Sequence, residues 1–215
     1  MKNLPNQFYY SEKEDRLNVI SHGTGFVISI IGLVFLINKG LQDFDITRFS
    51  SFIIYGMSLS TMYIASTLYH NSKTPKSRYN FRLFDMISIY LLIAGSYTPF
   101  TLTVLIDDGG LILFALVWLI AFFGIIWKIF TVGKYNFFST MLYMFMGGLW
   151  IFFIDSFINQ IPPSALLWIF ASCSAYLIGV FFYLADSRIK YNHFIWHIFV
   201  LLGSAFHFIS IYFYI

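Results

Sequence analysis

Two histidines stand four residues apart in the segment "HFIWH", residues 193–197, just before the last apolar stretch of the chain. In an α-helix, residues four apart are neighbours on one face, so His193 and His197 can aim their imidazoles at one point. An ionisable side chain inside a bilayer is costly and by default indicates a functional site. Because neutral imidazole is a zinc ligand, the spacing favours half of a metal site on one helix.

A third ligand and a carboxylate must come from other parts of the chain. His70 ends an earlier apolar stretch and can supply the third nitrogen, and Asp85 begins the next stretch. Structural zinc sites fill four positions with protein ligands, whereas catalytic sites use three ligands and water. The chain has one cysteine, Cys173, in a different stretch, which excludes a thiolate-rich structural site. The histidine pair lacks the glutamate of the H-E-x-x-H motif, so Asp85 is the carboxylate available as a base.

The composition is that of a membrane protein. Of the 215 residues, 59% are hydrophobic and 11% are charged, whereas soluble domains carry about 25% charged residues. Cys173 has no disulfide partner within the chain, and we expect it to be a small residue at a helix contact. Glu12 and Arg16 precede the first apolar stretch and no cleavage site follows it, so we expect this stretch to remain as an anchor rather than a signal peptide.

Seven segments are long enough to cross a bilayer, which takes about 20 mostly apolar residues. They predict an all-α bundle of seven transmembrane helices. The spans are 17–38, 50–70, 83–106, 111–130, 138–158, 164–185 and 193–214. No stretch alternates in the manner of a barrel strand, and no internal repeat is visible. We therefore predict a single domain over residues 1–215, with residues 1–16 as a short tail.

Lys and Arg residues near the span ends predict the direction in which the helices cross the membrane. Of the 13 Lys and Arg residues, only Lys39 and Arg48 fall on one side. The others, from Lys2 in the tail to Arg188 and Lys190 in the last loop, fall on the opposite side. We therefore predict a cytoplasmic N-terminus and an extracytoplasmic C-terminus.

This topology gathers the candidate site residues at one depth, near the cytoplasmic surface. His70 ends the second span and Asp85 begins the third. His193 and His197 open the seventh span, and His22 lies about 8 Å into the first at 1.5 Å per residue. Chance places one or two such residues in a layer, but hardly all of them, so the layer indicates a site.

Simpler interpretations remain open for several of these residues. Asp85 can pair with Arg82, three residues earlier on the same helix, and Ser66 can bond to a carbonyl of its own helix. The histidine pair of the seventh span can bond lipid headgroups. His207 lies about 15 Å deeper than His197, out of reach of the same metal, so we expect a hydrogen-bonded packing histidine there.

Several segments, in this order, resemble the hemolysin III family, the bacterial branch of the progestin and adipoQ receptor family. They are "EDRLNVISH" (14–22), "STLYH" (66–70), Asp85 with "GSYTPF" (95–100), and "HFIWHIFVLLGSAFHF" (193–208). The resemblance places the family's zinc ligands on His70, His193 and His197. It places Ser66 and Asp85 beside the metal, with Asp85 reaching it through water.

The family's wider superfamily includes alkaline ceramidases, which are membrane hydrolases of lipid amides. The resemblance therefore implies a Zn²⁺-dependent hydrolase of lipid amides or esters that acts from the cytoplasmic leaflet in membrane lipid homeostasis. Its partner would be a membrane lipid, and its location the bacterial inner membrane. Glu14, Asn18 and His22 match the family's N-terminal motif. Because the predicted tail is short, we do not expect the hormone binding of the animal receptors.

Other classes of protein compete with the hydrolase. The strongest competitor is a non-enzymatic, zinc-stabilised regulator of membrane state or energetics. A hemolysin-like cytolysin is a weaker match, because its spans should be amphipathic and these are apolar nearly all round. A retinal protein or G-protein-coupled receptor would place its N-terminus outside the cell, and the last span has no lysine for a retinal Schiff base.

Overall fold

The computed structural model describes residues 10–185 and 190–215. Its helices are α1 (Glu12–Gln42), α2 (Ile46–Asn71), α3 (Pro75–Leu102), α4 (Leu111–Phe130), α5 (Asn136–Gly147), α6 (Ile154–Gln160), α7 (Pro163–Leu184) and α8 (Asn192–Tyr214). In this part of the chain, seven helical segments are long and apolar enough to cross a membrane, α5 and α6 forming one of them. The predicted seven-helix membrane fold is confirmed. Lys2 and Arg188, used to predict orientation, lie outside the described residues.

Helix α1 begins at Glu12, more than a turn before the predicted first span, so the last part of the predicted tail is helical. Ser11 caps the helix by accepting the backbone N–H of Glu14 at 3.2 Å. Acidic residues in the first turn, including Asp15, suit the positive end of the helix dipole. The capped turn is helical although its side chains are polar, and it contributes residues to the site described below.

The fifth crossing is not the continuous helix predicted for residues 138–158. Helix α5 ends at Gly147, a short 3₁₀ turn follows at Leu149–Phe153, and α6 completes the crossing. Backbone groups freed by a break inside a bilayer must find partners within the protein. The Tyr97 hydroxyl of α3 supplies them, donating to the Gly147 carbonyl at 2.7 Å and accepting the Trp150 N–H at 3.3 Å.

The outer turn between α3 and α4 also differs from the predicted spans. Helix α3 stops at Leu102 rather than at residue 106, and a π-type turn at Ile106–Gly110 leads directly into α4. Gly109 adopts a φ of 84° in this turn, a conformation that glycine reaches without the clash of a side chain. The "DDGG" segment therefore divides the two spans, as expected, but the third helix ends four residues before its predicted end.

Helix α1 packs against both α2 and α8 and so brings the cytoplasmic end of α2 beside the start of α8. The packing depends on Gly25, where an added Cβ would lie 2.9 Å from the Tyr63 ring of α2 and 2.7 Å from Leu201 of α8. Small residues of this kind let helix backbones approach closely within membranes. One face of α1 therefore borders residues from both neighbouring helices.

Candidate metal centre and cavity

The three histidines predicted as ligands lie together. His70 is the penultimate residue of α2, and His193 and His197 occupy successive turns at the start of α8. All three are buried, and their potential ligand atoms lie within 4.8 Å of one another. The ring centroids are 4.8 to 5.1 Å apart, so the imidazoles form a nearly equilateral triangle. Zn–N bonds of about 2.0–2.1 Å place the nitrogens of one ion within about 4.2 Å of one another, so binding an ion here requires at most a small inward shift of these rings.

The Nδ1 atom of each histidine contacts a side chain that lies in the first part of α1 or just before it. The Nδ1 of His193 contacts the Tyr10 hydroxyl at 3.0 Å, that of His70 contacts an Asp15 carboxylate oxygen at 2.8 Å, and that of His197 contacts the Ser21 hydroxyl at 3.2 Å. With Nδ1 engaged in this way, Nε2 is the nitrogen left for a metal. Metal-ligating histidines usually bond protein groups through their second nitrogen, so the arrangement fits a resident metal ion.

The Nε2 atom of His70 gives a second indication. It is buried and has no hydrogen-bond partner among the described residues. Leaving a buried polar atom unsatisfied is destabilising, by about 1–3 kcal/mol, and such atoms are uncommon. A metal held by three neutral imidazoles would satisfy this nitrogen, whereas a packing role for His70 would not.

His22 is a fourth histidine at this depth, but it lies outside the three-histidine group. Its ring stacks on His197, with centroids 3.6 Å apart and planes 8° apart, and it meets the edge of Tyr63. Both its ring nitrogens are buried without a hydrogen-bond partner in the part of the chain described here. His22 therefore lies at the depth of the candidate ligands, as predicted, and it contacts the ring face of His197.

Ser66 and Asp85, predicted to act beside the metal, line one cavity together with His193 and His197. The cavity has a volume of about 410 Å³. Ser66 of α2 is buried, and its hydroxyl bonds to the Asp85 carboxyl, which also lies near the Arg82 guanidinium. Asp85 does not belong to the group of three candidate ligands.

The rest of the cavity wall is largely apolar. It runs from the histidines past Ile89 and Ile93 of α3 and Val200 of α8 to Trp150 in the broken fifth crossing. A cavity with a few polar groups at one end and apolar walls beyond suits an amphipathic ligand, because the polar groups fix its orientation. The break in the fifth crossing thus shapes the deep end of this cavity.

The groups that bond the Nδ1 atoms of the three histidines were not predicted from the sequence. Tyr10 and Asp15 lie in the predicted tail, and Ser21 is the fifth residue of the predicted first span. A helical pattern does extend through this region, because Asp15, Asn18 and His22 are spaced to share one face. Following that face toward the N-terminus would have added Asp15 to the candidate site.

Two further predictions are settled by their contacts. His207 donates from Nε2 to the Ser96 carbonyl of α3 at 3.1 Å and packs against Phe100, so it is the hydrogen-bonded packing histidine expected. Cys173 is a free cysteine, as expected. It also lines the cavity, which was not predicted from the sequence.

Comparison with known proteins identifies the family to which this geometry belongs. The sequence profile of the family described as "Haemolysin-III related" matches residues 10–208. The chain belongs to the haemolysin-III related family. It is 38% identical to "Hemolysin-3" of Bacillus cereus over 203 residues, covering 94% of this chain and 92% of that protein. It is 37% identical to "Hemolysin-3 homolog" of Bacillus subtilis (strain 168) over 205 residues, covering 95% and 96%.

A more distant similarity extends to animals. The chain is 28% identical to the human "Monocyte to macrophage differentiation factor" over 209 residues, which cover 94% of this chain and 84% of the human protein. The resemblance to the hemolysin III family drawn from four short segments is therefore confirmed over nearly the whole chain.

Proposed function

We propose that this haemolysin-III related protein is a zinc-dependent hydrolase of lipid amides, similar in reaction to a ceramidase, in a bacterial cytoplasmic membrane. One observation carries the proposal. A single cavity joins two of the clustered histidines, a carboxyl group and a buried serine to a long apolar wall. A polar end with these residue types provides the groups for hydrolysis, and the apolar wall suits an acyl chain.

The metal is proposed as zinc because the three candidate ligands, His70, His193 and His197, are all imidazoles, and catalytic zinc sites use three protein ligands with one open position. When bound, zinc supplies a Lewis acid that polarises a carbonyl group and lowers the pKa of water from 15.7 to about 7. The candidate ligands lie at the predicted cytoplasmic ends of their spans, where a lipid of the cytoplasmic leaflet would reach the site.

The chain's own residues then have distinct roles in the reaction. The Asp85 carboxylate accepts a proton from the attacking water, whose oxygen bonds to the amide carbon. The Ser66 hydroxyl donates a hydrogen bond to the carbonyl oxygen as negative charge develops there. Asp85 then delivers its proton to the amide nitrogen as the C–N bond breaks. The products are a fatty acid and an amine-bearing lipid, so one water is consumed for each amide.

A non-enzymatic regulator of membrane state is the second candidate. The observation that favours it is the anchoring of the three histidines by α1 and by Tyr10, two residues before it. A metal bound there would connect α1, α2 and α8 as a structural ion does. The names of the bacterial relatives suggest a third role in haemolysis, for which lipid breakdown or membrane insertion would each account.

Lipid turnover distinguishes the hydrolase from the regulator. Purified protein in detergent is incubated with long-chain ceramide, then with an acyl ester of equal chain length, and released fatty acid is measured. We expect release that stops with a chelator, returns with added zinc, and is absent from His197→Ala. His207→Gln serves as the matched control because His207 contacts a backbone carbonyl of α3 instead of the cluster. Zinc-loaded wild-type protein without turnover on either lipid would favour the regulator.

A further inference from the structure

The contacts of Ser21 define the protonation pattern of His197. The Ser21 hydroxyl has a single proton, and it donates that proton to the Asn18 carbonyl at 3.0 Å. Its oxygen must therefore accept from the Nδ1–H of His197, which lies 3.2 Å away. A neutral imidazole carries one N–H, so the Nε2 of His197 has a free lone pair, the form in which histidine binds a metal.

The contacts of Asp15 lead to the same result for His70. Arg78 binds both oxygens of the Asp15 carboxylate, through Nη1 at 2.9 Å and Nη2 at 3.0 Å. Such a bidentate pair keeps the carboxylate ionised, and an ionised carboxylate can only accept hydrogen bonds. The Nδ1 of His70, 2.8 Å from Oδ1 of Asp15, must be the donor. The Nε2 of His70 is then unprotonated, in agreement with its lack of a partner among the described residues.

The Asn18 side chain agrees with this assignment once its amide is turned over. Its Nδ2 lies 3.4 Å from the Nδ1 of His70, while its Oδ1 is buried without a partner among the described residues. Amide nitrogen and oxygen are assigned from the hydrogen-bond network rather than from shape. A half-turn of the amide removes this second donor from beside the Nδ1–H of His70, whose proton is directed at Asp15 2.8 Å away.

We propose that Asp15, held in place by Arg78, is a positioning residue that fixes His70 in the tautomer with an unprotonated Nε2 and thereby sets the affinity of the metal centre. The proposal rests on the metal centre of the proposed function, but not on lipid hydrolysis. Arg78 lies in the first turns of α3, is 4% exposed, and places its guanidinium 5.0 Å from the Tyr69 ring centroid. The short turn between α2 and α3 thus brings the cation to the carboxylate that orients the ligand.

The first test examines the tautomer in the metal-free protein, so it needs neither zinc nor substrate. Nitrogen NMR of ¹⁵N-histidine-labelled protein, assigned with a His70→Gln variant, reports which ring nitrogen carries the proton. We expect His70 to be protonated at Nδ1 in the wild type and to move toward protonation at Nε2 in Asp15→Ala. Glu12→Ala, which removes an exposed acid of the same helical turn, should leave the tautomer unchanged. An Nε2–H tautomer in the wild type, or no change in Asp15→Ala, would overturn the proposal.

The second test measures zinc affinity by competition with a chromophoric chelator. Loss of a group that bonds a metal-ligating histidine typically weakens binding about 10–100-fold, and we expect that for Asp15→Ala, with partial recovery in Asp15→Glu. Arg78→Gln should weaken binding in the wild type but add little to Asp15→Ala, because the two act as a unit. Affinity within about twofold of the wild type in Asp15→Ala, alongside a large loss in His70→Ala, would refute the role of Asp15 and leave the metal centre standing.

Thermal melting of the metal-free proteins separates positioning from support of the fold. Positioning predicts that Asp15→Glu retains the melting midpoint and the Nδ1–H tautomer of the wild type. A purely structural role predicts that zinc affinity falls only in variants whose metal-free melting midpoint also falls, and that the His70 tautomer stays unchanged. That result would overturn the proposal. Neither readout uses lipid turnover, so a negative hydrolase assay does not affect this test.

Discussion

At the scale of single residues, Asp85 decides between the hydrolase and the regulator. Asp85→Asn preserves the size of the side chain but removes the proton acceptor. If Asp85 handles the attacking water, ceramide turnover should fall by a factor on the order of 10² to 10⁴, the range typical of a lost acid–base group. Zinc content should change little, because Asp85 lies outside the group of three histidines. The checks are fatty acid release and elemental analysis of the same preparation.

The control for this change is Asp155→Asn, which alters an exposed acid in α6. It should retain the turnover and the zinc content of the wild type. Turnover at the wild-type rate in zinc-loaded Asp85→Asn would remove Asp85 from the mechanism. Its proximity to Arg82 would then account for its presence in the membrane.

The sequence predicted the ligands better than the groups that support them. The depth of His70 and the spacing of His193 and His197 follow from helix geometry, and the three residues lie together as predicted. No role was predicted from the sequence for Asp15 or Arg78. Their role depends on which helices are neighbours, and one sequence without its fold does not contain that information.

At the scale of helices, hydropathy located the crossings but not their breaks. A hydropathy pattern reflects the transfer of side chains into hydrocarbon, and Gly147 and Gly148 are compatible with a continuous apolar span. The break after Gly147 exists because a hydroxyl from another helix satisfies its backbone groups. The same limit applies to α1, whose polar first turn is stable as a helix although it is not apolar.

The break in the fifth crossing therefore depends on Tyr97. In Tyr97→Phe, the Gly147 carbonyl loses its donor and the Trp150 N–H its acceptor, and buried groups left unsatisfied cost about 1–3 kcal/mol each. We expect a lower midpoint of unfolding in detergent, by thermal melting followed with circular dichroism. Tyr79→Phe, at an exposed position of α3, is the control. Equal midpoints for the two variants would show that the break is stable without this hydroxyl.

At the scale of the whole molecule, the metal would join helices that are distant in the chain. The candidate ligands come from α2 and α8, and α1 packs against both while bonding the Nδ1 atoms of His70 and His197. An ion that binds only the folded state adds stability by mass action, about 4 kcal/mol when its free concentration is a thousand times its Kd. We expect a chelator to lower the melting midpoint of the wild type.

The same chelator should not change the midpoint of a His70→Ala, His193→Ala double variant, because that protein has lost two of its three ligands. This variant is the control for effects of the chelator on the detergent or on the rest of the fold. An unchanged wild-type midpoint after proven removal of the metal would contradict a stabilising role for the ion.

The central claim is that His70, His193 and His197 bind one zinc ion. Elemental analysis of purified protein, expressed with zinc available, tests it most directly. The account predicts about one zinc per chain in the wild type and in His207→Gln, in keeping with a single three-ligand site, and almost none in His70→Ala, His193→Ala. A double variant that retains the full zinc content of the wild type, or a folded wild-type protein that takes up no zinc, would contradict the account.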